Sequence, residues 1–126
     1  MLDSNIVYGT LPDDKNPVQL FISPSQYIEG HGVIRHLGEY LSVCISGRRA
    51  GVLITPGREK AYGAAAEAGL ARGGFTMQKT IFQGESTLSE AKRVAAFFDC
   101  AVDVVIGIGG GKCLDTARMA ASRLQV

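Results

Sequence analysis

The chain has 126 residues, of which 46% are apolar and 20% are charged, and its formal net charge is +1. This composition is typical of a single soluble globular domain, and the charge gives no electrostatic reason to expect nucleic acid or an anionic membrane as a partner. No apolar run approaches the roughly 20 residues that span a bilayer, and the first residues lack the basic and apolar regions of a signal peptide.

The N-terminal part of the chain divides into a polar stretch and a short apolar pair. Residues 1–17 are rich in turn formers and predict a loose leader ahead of a folded part, residues 18–126. Within that part, Val18–Ile22 and Tyr27-Ile28 flank Ser-Pro-Ser, a pattern that predicts an extended hairpin.

Apolar runs of strand length then alternate with longer segments of helical periodicity. The predicted strands are Gly51–Thr55, Met77–Phe82 and Val102–Ile106. The predicted helices lie around residues 33–41, at 58–70, from the T-x-x-E capping box at Thr87 and Glu90 to Phe98, and at 112–124. This alternation predicts an α/β fold with a mainly parallel sheet and helices on both faces. About four sheet strands are recognisable, against six in a complete doubly wound dinucleotide domain, so the domain is expected to be incomplete.

The helical periodicity also predicts which side chains face the core. In the first helix, the polar side is expected to carry Arg35, His36 and Glu39. In the last helix, the expected inner residues are Leu114, Ala117, Ala121 and Leu124.

A glycine-rich loop joins the last predicted strand to the last predicted helix. Gly107, Gly109, Gly110 and Gly111 precede Lys112. Glycine permits positive φ and lets a ligand approach the backbone, while a helix start and a lysine both favour a phosphate. The sequence fits neither the P-loop nor the dinucleotide fingerprint. From the spacing alone, phosphate binding and simple helix–strand packing both remain open as the reason for these glycines.

Four segments in a fixed order together resemble one family. They are Phe21–Gly30, Leu37–Leu41, Phe82–Ser86 with Glu90 after it, and Ile106–Arg118, which reads IGIGGGKCLDTAR. They are similar to the opening strand pair, the following helix, the F-x-GE-x-S-x-x-E turn and the GxGGGKxxDxAK loop of the glycerol dehydrogenase branch of the iron-containing, or group III, alcohol dehydrogenases.

The resemblance implies a truncated, Rossmann-like, N-terminal NAD(P)-binding domain in residues 18–126. In that family the loop holds the pyrophosphate of NAD, so the implied cofactor contacts are Gly109, Gly110, Gly111, Lys112 and Cys113. The family oxidises a small polyol or alcohol, with zinc or iron bound by an Asp and two His of a helical C-terminal domain. That domain is not expected in this chain, so no catalytic residue or metal ligand is assigned and the chain alone is expected to be inactive. A homo-oligomer is implied for the complete enzyme. Separately, the odd number and wide spacing of Cys44, Cys100 and Cys113 predict reduced thiols in a cytoplasmic protein.

Several individual residues bear on these implications. Pro56 stands where NAD-preferring relatives carry an acid, and Arg58 is either a contact for the 2′-phosphate of NADP or a solvated residue, so both cofactors stay open. His31 and His36, five residues apart, make a poor metal pair and are expected at the surface or in a cap. Cys113 begins a helix, whose dipole would lower its pKa, but a packed thiol is favoured over a nucleophile.

Two alternative interpretations also stay open. Related glycine loops occur in sn-glycerol-1-phosphate dehydrogenases and dehydroquinate synthases, which use the same scaffold and the same cofactors. The chain could also be a truncated nucleotide-binding module without catalytic activity. The stretch Phe82–Ser86 favours the glycerol dehydrogenase branch over both related enzyme classes.

Overall fold

The computed structural model describes residues 6–9, 18–23, 25–29 and 32–126. The chain divides into two compact units, Met1–Ile34 and Arg35–Val126.

The first unit contains a three-stranded antiparallel sheet in the order β1-β2-β3. Its strands are β1 (Ile6–Gly9), β2 (Val18–Ser23) and β3 (Ser25–Glu29). Strands β2 and β3 pair antiparallel, with Leu20 opposite Ile28, which confirms the predicted hairpin. Strand β1 was not predicted: it lies within residues 1–17, where a loose leader was expected, and it pairs with β2 through Val7 and Leu20. The remainder of that stretch lies outside the described residues.

The second unit is built on a three-stranded parallel sheet in the order β5-β4-β6. Its strands are β4 (Arg49–Ile54), β5 (Thr76–Ile81) and β6 (Val104–Ile108). In the central strand, Val52 lies opposite Lys79 of β5 on one side and Ile106 of β6 on the other. The predicted strands are confirmed, although β6 begins two residues later than Val102, the expected start. The hairpin strands do not belong to this sheet, so it has three described strands instead of the four expected.

Helices supply the connections that parallel strands need. They are α1 (Leu37–Ser42), α2 (Pro56–Arg72), α3 (Leu88–Phe98) and α4 (Gly111–Leu124), with 3₁₀ turns at Val33–His36 and Asp99–Ala101. Leu53 of β4 packs in one apolar cluster with Phe98 and Ala117, whereas Ile54 packs in the other with Leu70. Because successive strand residues point to opposite faces, the helices cover both faces of the sheet. The fold is therefore a Rossmann-like α/β arrangement, as predicted.

Two predictions about helix faces are wrong in part: Ala117 and Leu124 of α4 pack in or against the core as predicted, but His36 and Leu114 do not lie on the expected sides. His36 is only 2% exposed, and its Nδ1 lies 3.0 Å from Glu39 Oε1. The segment starts as a 3₁₀ turn, which has three residues per turn and so rotates His36 inward relative to a continuous α-helix.

In α4 the buried residues are Cys113, Thr116, Ala117 and Ala120, whereas Leu114 is 43% exposed. The inner face is thus displaced by about one residue from the predicted one. Small side chains face the sheet because α4 lies very close to β6: a Cβ built on Gly107 would stand 2.9 Å from Ala117 Cβ.

A single carboxylate joins β4 to β6 at the edge of the sheet where both strands begin. Asp103 Oδ2 accepts hydrogen bonds from the backbone N–H groups of Arg48 (3.1 Å) and Arg49 (3.0 Å), and the Arg49 guanidinium donates to Oδ1 at 2.8 Å. These bonds, the Arg49 side chain foremost, hold the pKa of Asp103 down to about 2, from an ordinary 3.8. The carboxylate therefore favours the folded state in its ionised form.

Replacing Asp103 with Asn tests this joint through its pH dependence. Because the folded-state pKa lies below the unfolded one, the stabilisation is complete above about pH 4 and is lost as the pH falls towards 2. We expect Asp103→Asn to lower the free energy of unfolding at neutral pH and to flatten its decline between about pH 4 and pH 2. Urea denaturation at a series of pH values measures both effects. Asp99→Asn, in an exposed position that tolerates Asn, is the control; an equally steep acid decline in Asp103→Asn would contradict the assignment.

Candidate functional site

The candidate site lies where the three parallel strands end. Thr55 N–H, just after β4, donates to Ile108 O at 3.1 Å, and Phe82 N–H, just after β5, donates to Ile54 O at 2.8 Å. These bonds bring the loops that follow β4, β5 and β6 to one edge of the sheet. In open α/β sheets, ligands bind outside this carboxyl edge.

The glycines of the loop after β6 fall into two groups, and the first group permits close packing. A Cβ on Gly109 would stand 2.6 Å from Thr55 Cγ2 and 3.0 Å from Cys113 Cβ, so the loop touches the end of β4 directly. Gly107 has the same role beneath α4. Positive φ does not explain either residue, because the described glycines with positive φ are Gly32, Gly74 and Gly84. The freedom of glycine to adopt positive φ is therefore not used at these two positions.

The second group, Gly110 and Gly111, faces open space. A Cβ on either residue would meet no atom within 4 Å. Gly110 is the N-cap of α4, and no side chain caps this helix. The first helical hydrogen bond runs from Leu114 N–H to Gly110 O (3.0 Å), which leaves the N–H groups of Gly111, Lys112 and Cys113 without an acceptor inside the helix. Bare backbone, free donors and a helix N-terminus together fit an anionic group such as a phosphate.

Cys113 contributes its backbone to this edge, not its thiol. The side chain is 1% exposed, with Sγ 3.5 Å from Leu53 O and 3.7 Å from Ile108 O. Burial raises the pKa of the Cys113 thiol, so the expected lowering by the helix dipole is wrong and the predicted packed thiol is confirmed. Any contact of Cys113 with a ligand in the loop would run through its N–H group.

Lys112 extends across the edge towards the loop after β5. Its Nζ lies 3.2 Å from both Oε1 and Oε2 of Glu85, and the two side chains are 65% and 71% exposed. Sequence reasoning gave Glu85 a role in the turn and did not connect it with the glycine loop. The parallel sheet supplies the missing signal, because the loops that follow β5 and β6, on either side of β4, leave the sheet at the same carboxyl edge.

An ion pair between buried Glu90 and partly exposed Arg93 fixes the start of the loop between β5 and α3, called the Glu85 loop below. Glu90 is 7% exposed, and its Oε2 accepts a hydrogen bond from Gln83 N–H at 2.8 Å. Arg93 donates to both Glu90 oxygens (2.7 and 2.8 Å) and to Ile81 O (3.0 Å). The Arg93 side chain is the largest cause of the lowered pKa of Glu90. The end of β5, the loop and α3 are therefore held together by one charged group.

The far end of the Glu85 loop is also held in place. Thr87 Oγ1 accepts from Glu90 N–H at 3.0 Å, which confirms one half of the predicted capping box. The other half, a bond from Thr87 N–H to the Glu90 carboxylate, does not form. Thr87 N–H donates to Glu85 O at 3.1 Å instead, and the Glu90 carboxylate binds Gln83 N–H and Arg93. The hydroxyls of Ser86 and Thr116 lie 3.1 Å apart and connect this loop to α4.

The loop after β4 continues directly into α2. Pro56 is the first residue of that helix, because proline at this position has a suitable φ and lacks only an N–H that would be unpaired anyway. A Cβ on Gly57 would meet no atom within 4 Å. Arg58 is exposed, and its guanidinium carbon stands 5.8 Å from the centre of the Tyr62 ring. A cation thus lies in the first turn of a second helix at this edge.

The described residues do not form a metal site. Across residues 6–9, 18–23, 25–29 and 32–126, no three His, Cys, Asp or Glu side chains are grouped so that they could hold an ion. His36 is buried beside Glu39, and His31 lies outside the described residues. In the same part of the chain, no helix is both long and apolar enough to cross a membrane.

Comparisons with known proteins find similar sequences and a similar fold. A glycerol dehydrogenase of Thermotoga maritima is 37% identical over 110 residues, which cover 82% of this chain and 28% of that protein. A glycolaldehyde reductase of Halobacterium salinarum is 33% identical over 100 residues, which cover 79% of this chain and 27% of that protein. The crystal structure of glycerol dehydrogenase from Schizosaccharomyces pombe shares the fold, with a TM-score of 0.69 at 24% identity over 75% of this chain and 24% of that one.

The chain thus spans about a quarter of the length of the proteins it matches. The matches favour neither of the two alternatives, a relative of sn-glycerol-1-phosphate dehydrogenase or dehydroquinate synthase and a truncated nucleotide-binding module without catalytic activity. The family model described as iron-containing alcohol dehydrogenase covers residues 24–126. The chain belongs to the iron-containing alcohol dehydrogenase family.

Proposed function

We propose that this chain forms the nucleotide-binding part of a metal-dependent dehydrogenase that oxidises a small polyol or alcohol by hydride transfer to NAD(P). The observation that carries the proposal is the open backbone of Gly110 and Gly111 next to Lys112, at the carboxyl edge of a parallel sheet. The similar proteins are named for glycerol and glycolaldehyde, so glycerol is the first substrate to test.

The pyrophosphate of the cofactor would lie against the first turn of α4. The N–H groups of Gly111, Lys112 and Cys113 would donate to its oxygens, and the ammonium of Lys112 would neutralise part of its charge. Gly109 would position this turn by letting it approach β4, without itself contacting ligand through a side chain. When bound, the nicotinamide supplies the acceptor for the hydride.

The remaining parts of a dehydrogenase site are proposed on family grounds. Zinc or iron would serve the complete enzyme, with ligands outside the described residues of this chain. A homo-oligomer is expected for the same reason, and a cytoplasmic location is proposed from the three free, widely spaced cysteines. Glycerol-dependent reduction of NAD by the complete protein, assayed with added zinc, with added iron and with a chelator, tests activity and metal together. No reduction with any of these would count against the dehydrogenase assignment.

NAD is proposed as the cofactor on family grounds, and the residues at the end of β4 make NADP the second candidate. Thr55, Pro56 and Gly57 leave no acid at the end of β4 to bind the adenine ribose, and Arg58 supplies a cation suited to a 2′-phosphate. The contact of Arg58 with Tyr62 holds the guanidinium over the helix face.

Titration with NADH tests the binding site. Charged hydrogen bonds contribute about 1.5–3 kcal/mol, so we expect Lys112→Ala to raise the Kd for NADH by about tenfold or more. The fluorescence of the reduced nicotinamide reports binding. Lys92→Ala removes an equal charge from the exposed side of α3 and is expected to leave the Kd unchanged. The absence of binding at millimolar NADH, or an equal Kd for Lys112→Ala, would contradict the site.

Alanine at two of the glycines separates packing from ligand access. We expect Gly109→Ala to lower the free energy of unfolding by about 1–3 kcal/mol, because its Cβ would collide with Thr55. Gly111→Ala is expected to leave stability unchanged or raise it by up to about 1 kcal/mol, since alanine favours helix and meets no neighbour.

The same Gly111→Ala variant is expected to weaken NADH binding by about tenfold, because the new methyl group occupies the space the pyrophosphate needs. Urea denaturation and NADH titration of both variants measure these effects. Wild-type affinity in Gly111→Ala would show that the open space is not the phosphate position.

Arg58→Ala distinguishes the two cofactors. If Arg58 meets the 2′-phosphate, the variant is expected to bind NADPH about tenfold more weakly and NADH unchanged, because only NADPH carries that group. Parallel titrations of the wild type and the variant with both nucleotides measure the difference. Equal losses for both nucleotides would reject a role for Arg58 in cofactor choice.

A further inference from the structure

We propose that Glu85 competes with a phosphate group of the nucleotide for Lys112. When nucleotide is absent, the Glu85 carboxylate pairs with the Lys112 ammonium, and this competition lowers the nucleotide affinity. The inference rests on the proposed function, because it needs Lys112 to be a phosphate contact. It assigns to Glu85 a role in specificity and release, beyond its place in a turn.

The geometry at Lys112 resembles the binding of an anion. Both carboxylate oxygens of Glu85 lie 3.2 Å from Nζ, so the ammonium faces the middle of a two-oxygen edge. Two oxygens of a phosphate present a similar negative edge. Lys112 is the second residue of α4, next to the bare backbone of Gly110 and Gly111. The carboxylate therefore reaches the cation that the phosphate would use.

The position of Glu85 is set by its loop, not by the mobility of a long side chain alone. On one side, Gln83 N–H is bound by the buried Glu90 carboxylate. On the other side, Ser86 lies 3.1 Å from the fully buried Thr116 of α4. Gly84, with φ +103°, forms the bend between these anchors, a conformation that other residues adopt at a cost. The loop thus presents Glu85 towards α4 whether or not a ligand is bound.

The pair is weak enough to open. Both side chains are more than half exposed, and exposed ion pairs are easily separated because water screens them. A phosphate that approaches α4 must take Lys112 from Glu85 and also meets the charge of the displaced carboxylate. Both effects oppose binding without preventing it. Glu85 accordingly lowers the affinity by a moderate factor.

Charge removal at Glu85 tests this inference. Glu85→Gln keeps the shape of the side chain, and we expect it to lower the Kd for NADH by about three- to tenfold, as expected for loss of an exposed competing charge. Glu67→Gln makes the same change in net charge on the exposed side of α2, roughly 16 Å along the helix from its start at the site, and is expected to leave the Kd unchanged.

A double variant shows whether the effect runs through Lys112. In the Lys112→Ala background there is no cation to compete for, and only the screened repulsion between the carboxylate and the phosphate is left. Glu85→Gln is therefore expected to lower the Kd by no more than about twofold. The urea midpoint of each variant, compared with that of the wild type, confirms that affinities are compared between folded proteins.

The outcomes separate this inference from the proposed function. Tighter NADH binding by Glu85→Gln, dependent on Lys112, supports competition. Unchanged or weaker binding by Glu85→Gln, with normal binding by the wild type, overturns the role of Glu85 and leaves the nucleotide site standing. A gain of the same size in the Lys112→Ala background also overturns it, because the carboxylate would then act without Lys112. If neither the wild type nor any variant binds NADH, the proposed nucleotide site and the proposed role of Glu85 are both wrong.

Discussion

The close approach of α4 to the sheet is the constraint on which the candidate site depends. A Cβ on Gly109 would come within 2.6 Å of Thr55 Cγ2, and the neighbouring backbone is joined by the 3.1 Å bond from Thr55 N–H to Ile108 O. Thr55 is β-branched, which restricts its χ1 angle, so its side chain cannot easily rotate away from a larger residue at position 109. Because the loop is held this tightly to β4, the first turn of α4 begins at the carboxyl edge and its free N–H groups face outward there. A helix set further back would lose this placement even with the same sequence in its first turn.

The glycine run therefore serves two physical needs that the sequence alone does not separate. Packing requires glycine at position 109, because a Cβ there would collide with neighbouring atoms. A Cβ on Gly110 or Gly111 would instead lie in open space. The P-loop and the dinucleotide fingerprint each correspond to a particular loop conformation. The mismatch of this sequence to both motifs excludes only those two loop conformations. An anion needs accessible N–H groups, a helix N-terminus and a nearby cation, and Lys112 completes that set. Stability and ligand access are thus assigned to neighbouring residues of one short loop.

The sequence predicted the alternation of strands and helices because each element carries its own local signal. Buried β4 is a continuous apolar run, and α3 has clear helical periodicity beginning at a capping threonine. Strand β1 was missed because four residues gain their structure by pairing with β2, a contact that local sequence does not encode. The inward position of His36 depends on a switch from 3₁₀ to α geometry, and the inner face of α4 depends on how closely it approaches Gly107. Both are consequences of packing. Glu85 was recognised as part of a motif, but its meeting with Lys112 follows from strand order and could not be read from spacing.

With the roles proposed above, the charges at the carboxyl edge would permit both the binding and the release of a phosphate. The α4 N-terminus and Lys112 are positive, and Glu85 opposes them from a loop that is anchored by Glu90 and Arg93. A cofactor that leaves after every turnover gains nothing from very tight binding, since affinity shared equally by all states does not accelerate the chemical step. A carboxylate that takes over Lys112 as the phosphate departs would lower the free-energy cost of leaving the ammonium without a partner. With the role proposed for Glu85, the Glu90–Arg93 pair would have a second consequence beyond stability. It holds the start of the loop that carries Glu85, and so would link the packing of α3 against β5 to the affinity of the proposed site.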